Sequence, residues 1–503
     1  MDAPHTRERG ADVAVAATLF AATAGYLALM PRALGASDEA AFLYEAKRMA
    51  EGAVLYRDIF NIWTPGAYWA MDLLFRIFGA ELGTARVAMA VLHGLVVVAV
   101  YAGCRVLGVR RLLAAPVALA HVAVYQPAWP YASAHWLTVA VNVLLTIVLL
   151  RTRVEDDAAR AFGPGVVAGL VVTVQHHKGV FSVLGAAAVV ALRPLLARRR
   201  SPLLPRLFWY AGGVATVAIP VAAVLVWTAG AGNVFDALVL QPMQYRQSFR
   251  IHWGEVHFLN VSEARYTLPL LLRWPPLFLV LGVAHLGVAI RRRSPDAAAL
   301  LTVVVMTAAA ACSILYFPDF IHIAFVGPMF SLLIAHELEW AARAARARVL
   351  GAVVGVALLV AVAIQAVANA RRAAVEFPLR HPTPFGTLAF RRSADVALVD
   401  RLRGLVDATP SRELFSYPVY PAVYLLTGAR NPTRHTFVLP GYSTPAQLAE
   451  VIDALDARRV PYVVVVKPFV RPHDAVVEHL ARAYEPVEGF DAFEGLAVYR
   501  RKE

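Results

Sequence analysis

Cysteine and charge are both scarce in this chain. Only two of its 503 residues are cysteine and 17% are charged, whereas 59% are apolar. Two cysteines build neither a disulfide framework nor a cysteine-rich zinc site, and so little charge excludes a soluble globular protein. The formal net charge of +13 comes without any nucleic-acid-binding motif, so no nucleic acid partner is expected. The composition therefore predicts a membrane protein.

Long runs of Ala, Val and Leu supply the apolar residues. Only helices and closed barrels satisfy their own backbone groups in lipid, and barrel strands would alternate polar and apolar residues. The runs therefore predict a multi-span α-helical membrane protein. About eleven spans are expected, at 12–30, 87–104, 112–126, 135–150, 162–175, 180–196, 207–228, 269–290, 297–316, 321–338 and 349–368.

The arginines predict the orientation of these spans. They are dense in alternate connections, as at 105–111, 193–206, 291–293 and 343–348. Positively charged residues stay on the cytoplasmic side. We therefore expect a multi-pass protein of a bacterial cytoplasmic membrane, with its N-terminus in the cytoplasm and its C-terminal part outside.

The chain divides by composition into a transmembrane domain, 1–370, with a long outer loop at 31–86, and an extracytoplasmic domain, 371–503. The second part has an α/β pattern. Helices are predicted at 394–409 and after the capping box Thr444-Pro445-Ala446-Gln447. Strands are predicted at 414–416, 462–466 and 496–499.

The outer loop contains the first candidate site. Asp38 and Glu39 follow the first span, and Asp58, Trp63 and Tyr68 lie further along the loop. Carboxylates and aromatic faces suit a sugar ligand. Two simpler interpretations stay open: the acidic pair is typical of the first turn of a helix, and Trp and Tyr are typical of an interfacial aromatic belt.

Polar residues at three other places are candidates for binding the substrate. His177 and Lys178 interrupt an apolar run, where Lys is suited to a phosphate; a metal site is the alternative for the histidines. Arg246 and Arg250 lie in an outer loop, where they suit an anionic ligand or lipid headgroups. His322 follows Asp319 in a short outer turn, and both residues also suit helix capping.

The acidic pair after the first span, Tyr56-Arg57-Asp58 and Thr64-Pro65-Gly66-Ala67-Tyr68 together resemble the GT-C superfamily of integral-membrane glycosyltransferases. The likeness is to the bacterial family-39-like branch, with protein mannosyltransferases and lipid A aminoarabinose transferases. Thr64-Pro65-Gly66 differs from the Pro-Pro-Gly or Pro-Pro-Leu of that family. Lys178-Gly179 falls where relatives carry Lys followed by Gln or Gly.

The resemblance implies an inverting glycosyltransferase that takes a sugar from a polyprenyl-phosphate donor to a lipid, glycan or protein of the cell envelope, in contact with membrane lipids. Asp38 would be the general base and Glu39 its helper. A divalent cation, Mg²⁺ or Mn²⁺, would bind Asp38, Glu39 and Asp58 if the reaction requires metal. The donor phosphate would meet Lys178, His177 and the arginines at 246 and 250.

Two other classes of function remain open. A transporter or a flippase for lipid-linked sugars also has many spans and a few intramembrane charges, although no internal repeat with matching broken helices is visible here. A structural or polymer-assembly protein, whose C-terminal part docks partners, is the third alternative.

Overall fold

The computed structural model describes residues 3–196, 202–244, 253, 274–344, 348–439, 443–471, 473–490, 493 and 495–503. Within these ranges, fifteen α-helices precede the first strand. Their bounds are α1 Ala3–Ala28, α2 Asp38–Ala50, α3 Gly66–Phe78, α4 Leu82–Val106, α5 Arg111–Ala120, α6 Ala134–Arg151, α7 Phe162–Val174, α8 His176–Leu196, α9 Leu203–Ala229, α10 Ala231–Phe235, α11 Gln241–Gln244, α12 Pro275–Arg291, α13 Ala297–Cys312, α14 Phe320–Ala344 and α15 Arg348–Glu376.

The helices confirm a multi-span membrane protein. Seven are long and apolar enough to cross a bilayer within the described ranges: α1, α4, α6, α8, α9, α14 and α15. Each of the eleven predicted spans contains a helix, although four of these helices, α5, α7, α12 and α13, are short. The span predicted at 112–126 is α5 followed by a π-helix, His121–Tyr125.

Small residues allow some of these helices to pack closely. A Cβ atom on Gly165 of α7 would lie 2.1 Å from the carbonyl oxygen of Tyr210 on α9, and one on Gly213 of α9 would lie 2.2 Å from that of Phe162. Such contacts let the two backbones approach, as is common where helices associate in lipid. Glycine is therefore required on both sides of this interface.

The loop between α1 and α4 folds into two helices of its own. Helix α2 begins at Asp38, as is typical of an acidic pair in a first helical turn, and the side chain of the preceding Ser37 makes no capping hydrogen bond. The main chain starts the helix instead, because the N–H of Ala41 donates to the carbonyl of Ser37 over 2.8 Å. Helix α3 follows directly after Pro65.

Beyond α15 the chain forms a small α/β region. Its elements are β1 Leu379–Thr383, β2 Gly386–Phe390, α16 Ser393–Asp407, β3 Leu414–Tyr417, α17 Ala422–Thr427, α18 Pro445–Ala457, β4 Tyr462–Val466, α19 Ala475–Ala483, β5 Tyr484–Pro486 and β6 Leu496–Arg501. Strands β1 and β2 form a hairpin. The other four pair in the order β3-β4-β6-β5, with β3 and β4 parallel and Phe415 opposite Val463. The capping box at Thr444 is confirmed.

The α/β region contacts the outer loop directly. Tyr44 of α2 stacks on Tyr424 of α17 at 4.6 Å, and its hydroxyl accepts a hydrogen bond from the N–H of Asn431. The N–H of Phe60 donates to the carbonyl of Arg434. These contacts hold α2 between the membrane helices and the C-terminal region. The division of the chain at residue 370 stays a prediction; α15 continues to Glu376.

Candidate active site

Asp38 is the first residue of α2 and is exposed to solvent. No hydrogen bond or ion pair occupies its carboxylate within the described ranges. Desolvation by the surrounding protein raises the pKa of Asp38; the nearby His322 opposes this rise and Asp319 adds to it. Because water reaches the side chain, screening keeps the rise below that of a fully enclosed carboxyl. Asp38 is thus an accessible and unpaired proton acceptor.

Glu39 is in the opposite situation, because it is 1% exposed. Arg86 of α4 forms an ion pair with both of its oxygens. The backbone N–H groups of Gly35 and Ala132 also donate to them. Four donors saturate a carboxylate. The geometry therefore supports a role for Glu39 in fixing the start of α2, and it argues against the expected part in catalysis.

The Trp63-Thr64-Pro65-Gly66 segment is anchored to the junction of α7 and α8. The hydroxyl of Thr64 donates to the carbonyl of Val172 over 3.0 Å and accepts from the N–H of His176 over 3.1 Å. A Cβ on Gly66 would lie 2.8 Å from the carbonyl oxygen of Thr173. This anchoring places the Trp63 ring 5.0 Å from that of His177.

Lys178 lies in the first turn of α8 and is 3% exposed. Its Nζ is 2.6 Å from Nδ1 of His135 on α6 and 5.1 Å from the centre of the Phe325 ring on α14. A buried ammonium with one neutral partner has donors to spare. The predicted lysine is therefore buried among the helices, next to an imidazole, His135, that was not predicted.

His322 completes this group from the start of α14. Its Nδ1 lies 2.7 Å from Oδ1 of Asp319, which also accepts from the N–H of His322. Asp319 thus caps the helix and orients the imidazole at the same time. The His322 ring lies 5.6 Å from the rings of His135 and Tyr316.

Five segments that are far apart in the sequence meet at this place. Of the predicted residues, the structure brings together Trp63, His177, Lys178 and His322, and Asp38 lies close enough to His322 and Asp319 to interact with their charges. We call this group, with His135 and Asp319, the histidine-lysine cluster. Arg246 and Arg250 lie outside the described residues.

Tyr68 and Asp58 have other surroundings. The Tyr68 hydroxyl lies 2.8 Å from Nδ2 of Asn61, which also donates to the buried carboxylate of Glu45. Burial raises the pKa of Glu45 to about 7. Asp58 pairs with the neighbouring Arg57, which lowers the pKa of that carboxyl. Within the described ranges, neither residue forms a hydrogen bond, an ion pair or a ring contact with the cluster. The charge of Asp38 nevertheless adds to the rise that burial causes in the pKa of Tyr68.

The three carboxylates expected to bind a divalent cation do not form a ligand set. Asp38 is free, Glu39 is saturated by Arg86 and two N–H groups, and Asp58 pairs with Arg57. Mg²⁺ and Mn²⁺ need several free oxygen ligands in one place. These side chains therefore do not fit a cation at this site, and the metal requirement stays a prediction.

Sequence reasoning missed His135 altogether and considered Asp319 only as a helix cap. His135 comes two residues after Ser133, whose side chain caps α6. A histidine in the first turn of an apolar helix was an available signal, because ionisable residues in such segments are costly. Its neighbour Lys178 is 43 positions away, and local spacing gives no sign of that contact.

No protein-family model matches the sequence, and no curated protein matches it either. Solved structures do resemble this one. The crystal structure of ArnT from Cupriavidus metallidurans bound to undecaprenyl phosphate has a TM-score of 0.58 and 14% identity, covering 98% of each chain. The apo structure of the same protein has a TM-score of 0.59 and 13% identity, covering 99% of this chain and 98% of that one. The chain therefore has the same overall fold as these two ArnT structures.

Proposed function

We propose that this protein is an inverting glycosyltransferase that moves a sugar from a polyprenyl-phosphate donor to an acceptor at the outer face of the membrane. One observation carries the proposal. An accessible carboxylate with no ion pair in the described ranges, Asp38, lies close to His322 and Asp319, and Asp319 in turn lies close to the buried Lys178 with its imidazole partner His135. This is a base next to a site for a phosphate leaving group.

Asp38 would act as the general base. A sugar hydroxyl or an equivalent acceptor group is a poor nucleophile until its proton is removed. As the acceptor oxygen bonds to the anomeric carbon, Asp38 takes the proton, and the bond from that carbon to the phosphate oxygen breaks. General-base assistance of this kind contributes about 10²–10⁴-fold to the rate. The lack of a competing ion pair on Asp38 supports this role.

Lys178 would bind the phosphate of the donor. Negative charge grows on this group as it leaves, and preorganised cations stabilise such a transition state. Since Nζ of Lys178 donates to Nδ1 of His135, further N–H bonds of the ammonium are free to point at a ligand. His177 and His322 would add hydrogen bonds, and Arg246 and Arg250 are proposed to reach the same phosphate.

The donor class is supported by the fold, because the ArnT crystal structure contains undecaprenyl phosphate. The acceptor is proposed to be a lipid, glycan or protein of the cell envelope. Trp63, whose ring packs against His177, would contact the sugar. The alternation of arginine-rich connections supports an outward-facing site and a cytoplasmic N-terminus.

Mass spectrometry of lipid-linked sugars in a strain lacking the protein tests this function. The donor should accumulate and a glycosylated product should disappear. Wild type should restore both, and Asp38→Asn should restore neither. Asp72→Asn is the matched control, because Asp72 lies in the same outer loop but pairs with Arg76. An unchanged lipid profile in the deletion strain would refute the proposal.

A further inference from the structure

A second cluster of ionisable side chains lies between α12 and α14, away from the candidate active site. His285 on α12 meets His336 and Glu337 on α14. His336 follows His322 by 14 positions on one helix, which is about 21 Å along its axis. Both helices reach arginines, Arg291 and Arg343, within about two further turns. The cluster thus lies near the arginine-rich ends of these helices.

The two imidazoles point at one carboxylate. Nδ1 of His285 lies 3.0 Å from each carboxylate oxygen of Glu337. Nδ1 of His336 lies 3.6 Å from Oε1 of Glu337, which is too long for a hydrogen bond. His336 is 8% exposed, and its Nδ1 has no hydrogen-bond partner. All three ligand atoms lie within 4.8 Å of one another.

No arginine or lysine in the described part of the chain balances the charge of Glu337. Within the ranges that the structure describes, its ion-pair partners are the two histidines. Glu339, two positions further, instead pairs with Arg110 and Arg343. An ionisable side chain in a membrane helix is costly and usually serves a function. A bound cation would balance Glu337 and use the free nitrogen of His336.

We propose that His285, His336 and Glu337 bind one divalent transition-metal ion of the Zn²⁺ type and so link α12 to α14. Two imidazole nitrogens and one carboxylate oxygen are a known zinc donor set, with water in the fourth position. Mg²⁺ and Ca²⁺ prefer ligands that are all oxygen. The ring of Trp340 packs 4.2 Å from that of His285 and restrains its orientation.

A metal-free contact between the helices is the competing explanation. Hydrogen bonds across helices commonly hold membrane proteins together. Such a contact accounts for the bond between His285 and Glu337. A metal-free contact leaves Nδ1 of His336 without a partner, whereas a bound metal ion would provide one. The unpartnered nitrogen therefore favours the metal site.

Zinc binding to the purified full-length protein tests the site. The protein would carry no polyhistidine tag, and a chelator would remove bound metal before titration with Zn²⁺. We expect one zinc ion at this cluster per chain. His336→Ala should weaken its binding by more than about 100-fold, which is the upper end of what loss of an outer-shell partner costs. Glu337→Gln, a substitution of nearly equal shape, should do the same.

Two controls locate the ion. His381→Ala should bind zinc like the wild type, because His381 pairs with Asp400 in the α/β region. His177→Ala should also bind zinc like the wild type. If this variant instead lost zinc, the ion would belong to the histidine-lysine cluster, and the proposal would be overturned. Wild type without bound zinc would overturn it too, as would unchanged affinity in folded His336→Ala or Glu337→Gln protein. The readout is independent of sugar transfer.

Discussion

The buried ion pair between Glu39 and Arg86 decides whether Glu39 positions the site or takes part in the reaction. The Glu39 side chain is fully buried and that of Arg86 is 16% exposed. Removing one partner of such a pair leaves an uncompensated charge and costs about 3–5 kcal/mol. Since Arg86 retains some exposure, we expect Arg86→Met to lower the free energy of unfolding by about 3 kcal/mol.

Glu39→Gln should cost less. It leaves the Arg86 guanidinium without its partner, but that side chain is partly exposed and still donates to the carbonyl of Ala33. It also leaves a backbone N–H of Gly35 or Ala132 without an acceptor, which costs about 1–3 kcal/mol. In the double variant neither charge remains. Its loss of stability should therefore be smaller than the sum of the single losses, by about 1–3 kcal/mol.

Denaturant unfolding in detergent micelles measures this double-mutant cycle. The control is the more exposed pair of Lys47 on α2 and Glu51 directly after that helix, whose coupling should stay below about 0.5 kcal/mol. Additive losses for Glu39 and Arg86 would refute the structural reasoning. A folded double variant that transfers no sugar would restore the catalytic interpretation of Glu39.

Three further predictions concern other parts of the molecule. Lys178→Ala should raise the donor concentration needed for half-maximal transfer more than the acceptor concentration; equal effects would argue against phosphate binding. Burial raises the pKa of Glu45 to about 7, so folding favours its protonated form and stability should fall as pH rises from about 4.5 to 7, by about 3 kcal/mol. Glu45→Gln should remove this dependence in pH-dependent unfolding, and a persistent slope would contradict the assignment. Gly213→Ala should cost about 1–3 kcal/mol of unfolding free energy because its Cβ meets the carbonyl of Phe162, whereas Gly212→Ala has open space and should be nearly neutral; equal losses would be contrary to this packing.

Apolar runs and capping signals were sufficient to predict much of the architecture. Eleven predicted spans contain helices because a bilayer imposes length and apolarity on each segment separately. The capping box at Thr444 was predictable for a similar reason, because its residues lie within one helical turn of each other. The end of α5 was less predictable, since the π-helix after it depends on the neighbours of His121–Tyr125.

The candidate site was only partly predictable, because its contacts join distant segments. Residue types indicated Lys178 and His322, but nothing local indicated that His135 would lie between them. The separate surroundings of Asp38 and Glu39 follow from the helix, since consecutive side chains point about 100° apart. Tertiary packing determines that Glu39 faces Arg86 and Asp38 does not, and the local sequence gives no sign of this.

Sugar transfer by purified Asp38→Asn protein tests the central claim most directly. With the donor identified from the deletion strain, turnover should fall by about 10²–10⁴-fold, while donor binding and folding stay as in the wild type. Because the pKa of Asp38 is raised, wild-type activity should increase with pH through a pKa above the usual value of about 3.9, and the variant should lack this acid limb. Wild-type turnover in the folded variant would contradict the assignment of Asp38 as the base.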